Sequence, residues 1–101
     1  MKLTPLLSLC PLLVLAAPAE PKFRLQEVDK ISIGYGLAIA DVDGDGKPDI
    51  ILADQHTVQW YQNPTWKKHI IAENLTKLDH VCIAAQVVEG KCEIAVGAGW
   101  N

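Results

Sequence analysis

The sequence predicts an all-β fold of repeated antiparallel four-stranded sheets, about one and a half of them, and three observations predict it. Short apolar runs recur from residue 34 onward, at Leu37–Ala40, Ile50–Ala53, Val58–Tyr61 and His69–Ala72. They are rich in β-branched and aromatic residues and show no sustained helical period, which is the pattern of strands. Turn-forming groups separate them, namely Gly34-Tyr35-Gly36, Asp43-Gly44-Asp45-Gly46, Asp54-Gln55 and Asn63-Pro64. Finally, the pattern repeats. Asp49–Ala53 matches Glu93–Gly97 at an offset of 44, and Leu37–Ala40 matches Ile83–Gln86 at an offset of 46.

The elements follow in order. Lys2, the uncharged run Leu3–Leu15 and the small residues Ala16, Ala17 and Ala19 form the three parts of a secretory signal peptide, with cleavage after Ala17-Pro18-Ala19. The run is shorter than the ~20 residues that cross a bilayer, and Pro5 and Pro11 interrupt it, so no membrane span is expected. Lipid attachment at Cys10 is disfavoured because Leu9 precedes it where a small residue is required. Residues 1–19 are therefore assigned to the signal peptide, and the mature chain is expected to be secreted, in a periplasmic or extracellular location. Residues 20–33 read as a mixed polar lead-in with one apolar stretch, Ile31–Ile33. Residues 34–79 hold a complete four-stranded unit and residues 80–101 a partial second one. A period in the mid-forties with four strands per unit is that of a β-propeller blade. One and a half blades close no ring, and about three repeats are needed for stability. The sequence is thus expected to be a piece of a longer protein, or to need further blades or chains to close the ring.

Composition narrows the partners. A chain of 101 residues, half of them hydrophobic, allows one small domain at most. Nine basic and twelve acidic residues give a net charge of −3. The acidic excess of the mature chain sits in Asp41, Asp43, Asp45 and Asp49, and the remainder is balanced. No basic field exists to attract nucleic acid or anionic lipid. Lys67-Lys68 is the paired base of the mature chain and reads as a solvated strand edge.

The segment Asp41-Val42-Asp43-Gly44-Asp45-Gly46-Lys47-Pro48-Asp49 carries the chemistry. Calcium takes six to eight oxygen ligands, and carboxylates at positions 1, 3 and 5 of a tight loop converge on one centre. Gly46 permits the reversal that turns the Lys47 carbonyl inward, and Asp49 closes the site as the next strand begins. Four crowded carboxylates repel one another without a cation, so metal binding and local folding become one event. An EF-hand would need Glu at position 12 and flanking helices. Position 12 is Leu52, inside a predicted strand and soon after Pro48.

The stretch from Gly36 to Ala53, GLAIADVDGDGKPDIILA, instead resembles the FG-GAP/VCBS repeat family, with its Asp-x-Asp-x-Asp-Gly-x-x-Asp loop between the first two strands of a blade. The resemblance extends through Trp60-Tyr61-Gln62-Asn63-Pro64 and the partial second repeat. It implies Asp41, Asp43, Asp45, the Lys47 carbonyl and Asp49 as calcium ligands. Asp45→Ala is expected to abolish calcium binding, with Asp43→Ala close behind. The second copy, Ala85–Glu93, keeps only Glu89 and Glu93 as acids and is two residues short, so no calcium site is expected there.

Other residues receive plainer readings. His56, His69 and His80 share no metal-ligand spacing with a cysteine or another histidine. Trp60, Tyr61 and Trp66 could stack a sugar, but they read as outer-strand aromatics packing toward a neighbouring blade. Ser32 has no nucleophile-elbow context. Asn74-Leu75-Thr76 is a glycosylation sequon, relevant only in a eukaryotic secretory route. Cys82 and Cys92 lie in apolar strand-like runs, where free cysteine behaves as a small hydrophobe. Two buried thiols are expected there in place of a bridge. No catalytic or cofactor-binding residue is assigned. The resemblance implies a calcium-stabilised binding, adhesion or structural scaffold for a protein or carbohydrate ligand. The alternative is a piece of a propeller-type carbohydrate-active enzyme resembling aldos-2-ulose dehydratase.

Overall fold

The computed structural model describes residues 17–100. Most of the expected signal peptide, residues 1–16, lies outside the described residues, as does Asn101 at the end of the partial second unit. Six strands follow one another: β1 (Gly34–Ala40), β2 (Asp49–Asp54), β3 (Thr57–Gln62), β4 (Lys67–Glu73), β5 (Asp79–Val88) and β6 (Lys91–Trp100). The described residues contain no helix. Strands β1 to β4 form one antiparallel sheet in sequence order, and β5 pairs antiparallel with β6 in a second. The two sheets do not close into a ring.

Local chemistry sets the turns. Asp54 ends β2 and accepts hydrogen bonds at Oδ1 from the amides of His56 (3.0 Å) and Thr57 (2.6 Å), which closes the two-residue turn into β3. Burial works against ionisation of Asp54, but hydrogen bonding from the Thr57 side chain, and then from the Thr57 and His56 amides, outweighs it and holds the carboxyl below the usual range. Glu89 and Gly90 both adopt positive φ, the requirement of the two-residue hairpin that joins β5 to β6.

The register divides the first sheet into two faces. Leu37 opposes Leu52, which opposes Gln59, while Ile39 opposes Ile50, which opposes Tyr61. On the other face, Ala38, Ile51, Trp60 and His69 lie in a row. β5 covers that second face at β1 and β2. Gly36 makes the approach possible, since a Cβ there would lie 3.1 Å from the Ile83 nitrogen and 3.3 Å from the Cys82 carbonyl carbon. Beneath this contact Ile51, Ala53 and Val58 are fully buried.

The lead-in covers part of the first face. Val28 and Ile31 border a shallow cavity on this face together with Ile50 and Leu52. Asp29 accepts hydrogen bonds from the Tyr61 hydroxyl (2.6 Å) and from Lys68 Nζ (3.0 Å). Tyr61, expected to face a neighbouring blade, is therefore buried against the chain's own lead-in. Its hydroxyl also accepts from Gln59 Nε2 at 2.7 Å. Toward the β1 edge the same face stays open, with Leu37 62% and Ile39 56% exposed.

The expectation of two buried thiols is corrected. Both cysteines are free, but Cys82 is exposed and Cys92 half-buried. Side chains alternate along a strand, so with Ile83 turned toward Gly36, Cys82 points to the uncovered face of the hairpin. Cys82 opposes Gly97 and Cys92 opposes Val87, five positions along β5. That is about 17 Å at ~3.3 Å per residue, well beyond the reach of a disulfide.

Candidate metal centre

The acidic loop runs from the end of β1 to the start of β2, so Asp41 and Asp49 are fixed by the ladder that pairs Ala40 with Asp49. The loop turns through Gly44 (φ +76°) and Gly46 (φ +82°), where an added Cβ would meet nothing within 4 Å. The glycines thus answer the backbone angle, which side-chain-bearing residues rarely adopt.

Asp41, Asp43 and Asp49 each place a carboxylate oxygen within 4.8 Å of the others. Asp41 draws the loop around itself. Its Oδ1 accepts from the amides of Gly44 (2.9 Å) and Asp45 (3.2 Å), and its Oδ2 from Gly46 (2.8 Å). Asp49 is wholly buried and joins two loops, accepting from Val42 N at Oδ2 and Asn63 N at Oδ1, both at 2.9 Å. Asn63 Nδ2 returns a bond to the Pro48 carbonyl at 2.9 Å. Asp45 stands outside the cluster, with its Oδ1 accepting the Lys47 amide at 2.9 Å. Of the four aspartates predicted as ligands, Asp41, Asp43 and Asp49 are gathered here and Asp45 is not.

Gln62 and Asn63, at the end of β3 and just after it, reach the loop from outside it, contacts that no spacing in the sequence signals. Gln62 Nε2 donates to Asp43 Oδ2 at 2.8 Å, and Gln62 Oε1 lies 2.9 Å from His69 Nε2. The His69 ring stacks on Trp60, with centroids 4.4 Å apart and planes at 17°. His56 and His80 lie elsewhere. His80 is buried, and neither ring nitrogen has a hydrogen-bond partner among the described residues. Its neighbour Asp79 accepts from the Tyr35 hydroxyl at 2.7 Å, and this bond holds the Tyr35 phenol above its ordinary range. In the second repeat the corresponding loop is reduced to the two-residue turn, and Glu93 accepts from Gln86 Nε2 at 2.8 Å.

The donor set fits a hard divalent cation. Its members are all carboxylates, one of them fully buried, and among the described residues none is salt-bridged to a lysine or arginine. Calcium and magnesium take such oxygens, whereas zinc and copper favour the imidazole and thiolate that this cluster lacks. The field of the loop reaches the second sheet, where burial and then the charges of Asp41 and Asp49 push the Cys92 thiol up.

An antiparallel β-unit whose first two strands are joined by an aspartate-rich loop defines a class of repeat module. Residues 33–58 match the family model of the FG-GAP repeat, a span that takes in β1, the loop, β2 and the beginning of β3. That span is similar to an FG-GAP repeat, and the all-β arrangement around it, an antiparallel four-stranded sheet and a two-stranded one, is consistent with propeller-type blades. No curated protein and no solved structure matches the chain.

Proposed function

We propose that this chain is an exported, calcium-stabilised repeat module that serves as a binding, adhesion or structural scaffold. The convergence of Asp41, Asp43 and Asp49 in the turn between β1 and β2 carries this reading. Asp45 and the Lys47 carbonyl complete the ligand set. Bound calcium supplies positive charge that offsets the mutual repulsion of the carboxylates. The chain's own residues do the rest. Asp49 fastens the loop to β2 and to the β3–β4 turn, and Asp41 holds the amides of Gly44, Asp45 and Gly46 in one turn. Export is supported by the three-part pattern of residues 1–19. The scaffold role rests on the repeat itself and on the open apolar edge at Leu37 and Ile39, which suits a further blade or a protein partner.

Calorimetric titration of the full chain with calcium chloride tests the reading. One binding event is expected, abolished by Asp43→Ala and by Asp45→Ala. Unchanged affinity after Asp43→Ala would refute the site. Unchanged affinity after Asp45→Ala alone would remove Asp45 from the ligand set.

A further inference from the structure

Three side chains outside the acidic loop form a connected path from it across the sheet. Gln62 ends β3, His69 lies in β4 and Trp60 is two residues before Gln62. Alternation along β3 puts Trp60 and Gln62 on one face, and the register places His69 directly opposite Trp60. The path runs from Asp43 Oδ2 to Gln62 Nε2 (2.8 Å), from Gln62 Oε1 to His69 Nε2 (2.9 Å), and from the His69 ring to the Trp60 indole (4.4 Å, stacked).

The chemistry of the groups fixes the direction of this path. An ionised carboxylate only accepts hydrogen bonds, so Asp43 selects the NH2 end of the Gln62 amide. The carbonyl end of that amide then faces His69 and needs a donor. His69 must carry its ring proton on Nε2, and Nδ1 is left as the acceptor of the neutral ring. At the other end, Gln62 occupies Asp43 Oδ2. Asp43 Oδ1 faces into the loop, where it accepts the Asp45 amide at the longer distance of 3.3 Å, which leaves it the less committed of the two oxygens.

We propose that Gln62 and His69 are positioning residues of the metal loop, which aim Asp43 at the cation and carry the loop's occupancy to Trp60. This rests on the calcium reading of the loop. A cation drawing on Oδ1 strengthens the demand for a fixed Oδ2. The Gln62 amide and the His69 ring tighten in response, and the indole stacked on that ring changes its surroundings. Partners of this kind behind a metal ligand are worth about 10–100-fold in affinity.

Two measurements on the full chain test the proposal. The first, nitrogen NMR of the imidazole rings, needs neither metal nor variant. Neutral His69 is expected to hold its proton on Nε2, and a proton on Nδ1 would overturn the relay whether or not calcium binds. The second uses calcium chloride alone, with calorimetry and tryptophan emission read together. In the wild type an emission change is expected to saturate with the calorimetric isotherm and to be absent in Trp60→Phe. Gln62→Leu should bind calcium about 10–100-fold more weakly and lose the emission change. His69→Gln, whose amide still donates to Gln62 Oε1, should keep its affinity within a few-fold (on the order of one hydrogen bond) and lose the emission change. Wild-type affinity in Gln62→Leu, or an emission change that survives in either variant, overturns the proposal. Failure of the wild type to bind calcium defeats the calcium reading instead, and the proton position on His69 then decides the relay by itself.

Discussion

The contact between the two sheets depends on the absence of a side chain at Gly36, and Gly36→Ala tests it. The new Cβ would stand 3.1 Å from both the Ile83 nitrogen and Ile83 Cγ2, and 3.3 Å from the Cys82 carbonyl carbon. Two of these three neighbours are backbone atoms of β5, which cannot rotate away. Relief requires the hairpin to lift from Ile51 and Ala53, both fully buried under that face. Overpacking of this kind costs about 1–3 kcal/mol. Loss of glycine's freedom in the unfolded chain returns about 0.4–1 kcal/mol. The net expectation is a destabilisation of about 1–2 kcal/mol, read from urea unfolding as a lower midpoint at unchanged slope. Truncating Ile83 to alanine in the same chain removes only one of the three close contacts, so it should rescue part of the loss and not all of it. A Gly36→Ala chain as stable as the wild type, or more stable, would refute the packing of β5 on β1.

Other perturbations have equally definite signs. Ile51→Ala should cost about 2–5 kcal/mol, while Leu37→Ala, at an exposed edge, should stay within about 0.5 kcal/mol; equal effects would contradict the assigned faces. His80→Leu should stabilise by about 1 kcal/mol or more, because it removes two buried nitrogens without partners; a large loss in thermal midpoint would contradict this. Asp29 is held below the usual carboxylate range chiefly by the Tyr61 hydroxyl and then by Lys68. Its stabilisation is present above its unfolded value of about 3.9 and is lost as pH falls through the lowered folded value. Burial, and then Asp29, push the Tyr61 phenol up to about 12. Its contribution is present below the unfolded value of about 10 and is lost as pH rises through the folded value. Tyr61→Phe should therefore flatten both ends of the stability–pH profile, and an unaltered profile would count against the docking of the lead-in. Thiol labelling read by peptide mass should find both Cys82 and Cys92 free, the exposed Cys82 reacting before Cys92, whose thiol is the harder to ionise.

Strand positions were legible because each strand is short, apolar and bounded by its own turn chemistry. The runs at Leu37–Ala40 and Ile50–Ala53 lie within β1 and β2, and the offsets of 44 and 46 placed the second hairpin. The loop was legible for a similar reason, since Asp41 to Asp49 are contiguous and the glycines stand where the backbone needs positive φ. What escaped was long-range. The bond from Tyr61 to Asp29 spans 32 residues and that from Gln62 to Asp43 spans 19, and neither leaves a local signal in the composition. The thiols were misplaced because an apolar run does not reveal which of its alternating faces is covered. In a two-stranded hairpin packed on one side only, half of the run remains in water.

On the calcium reading proposed above, binding of the cation at the loop and folding of the repeat are one equilibrium. Thermal unfolding of the full chain, in excess calcium and in excess chelator, tests it most directly. At about 100 times the dissociation constant, a cation that binds only the folded chain stabilises it by about 2.7 kcal/mol, a rise of roughly 10–20 °C for a domain this small. That rise should grow with calcium concentration and vanish in Asp43→Ala. Identical midpoints in calcium and in chelator would contradict the account.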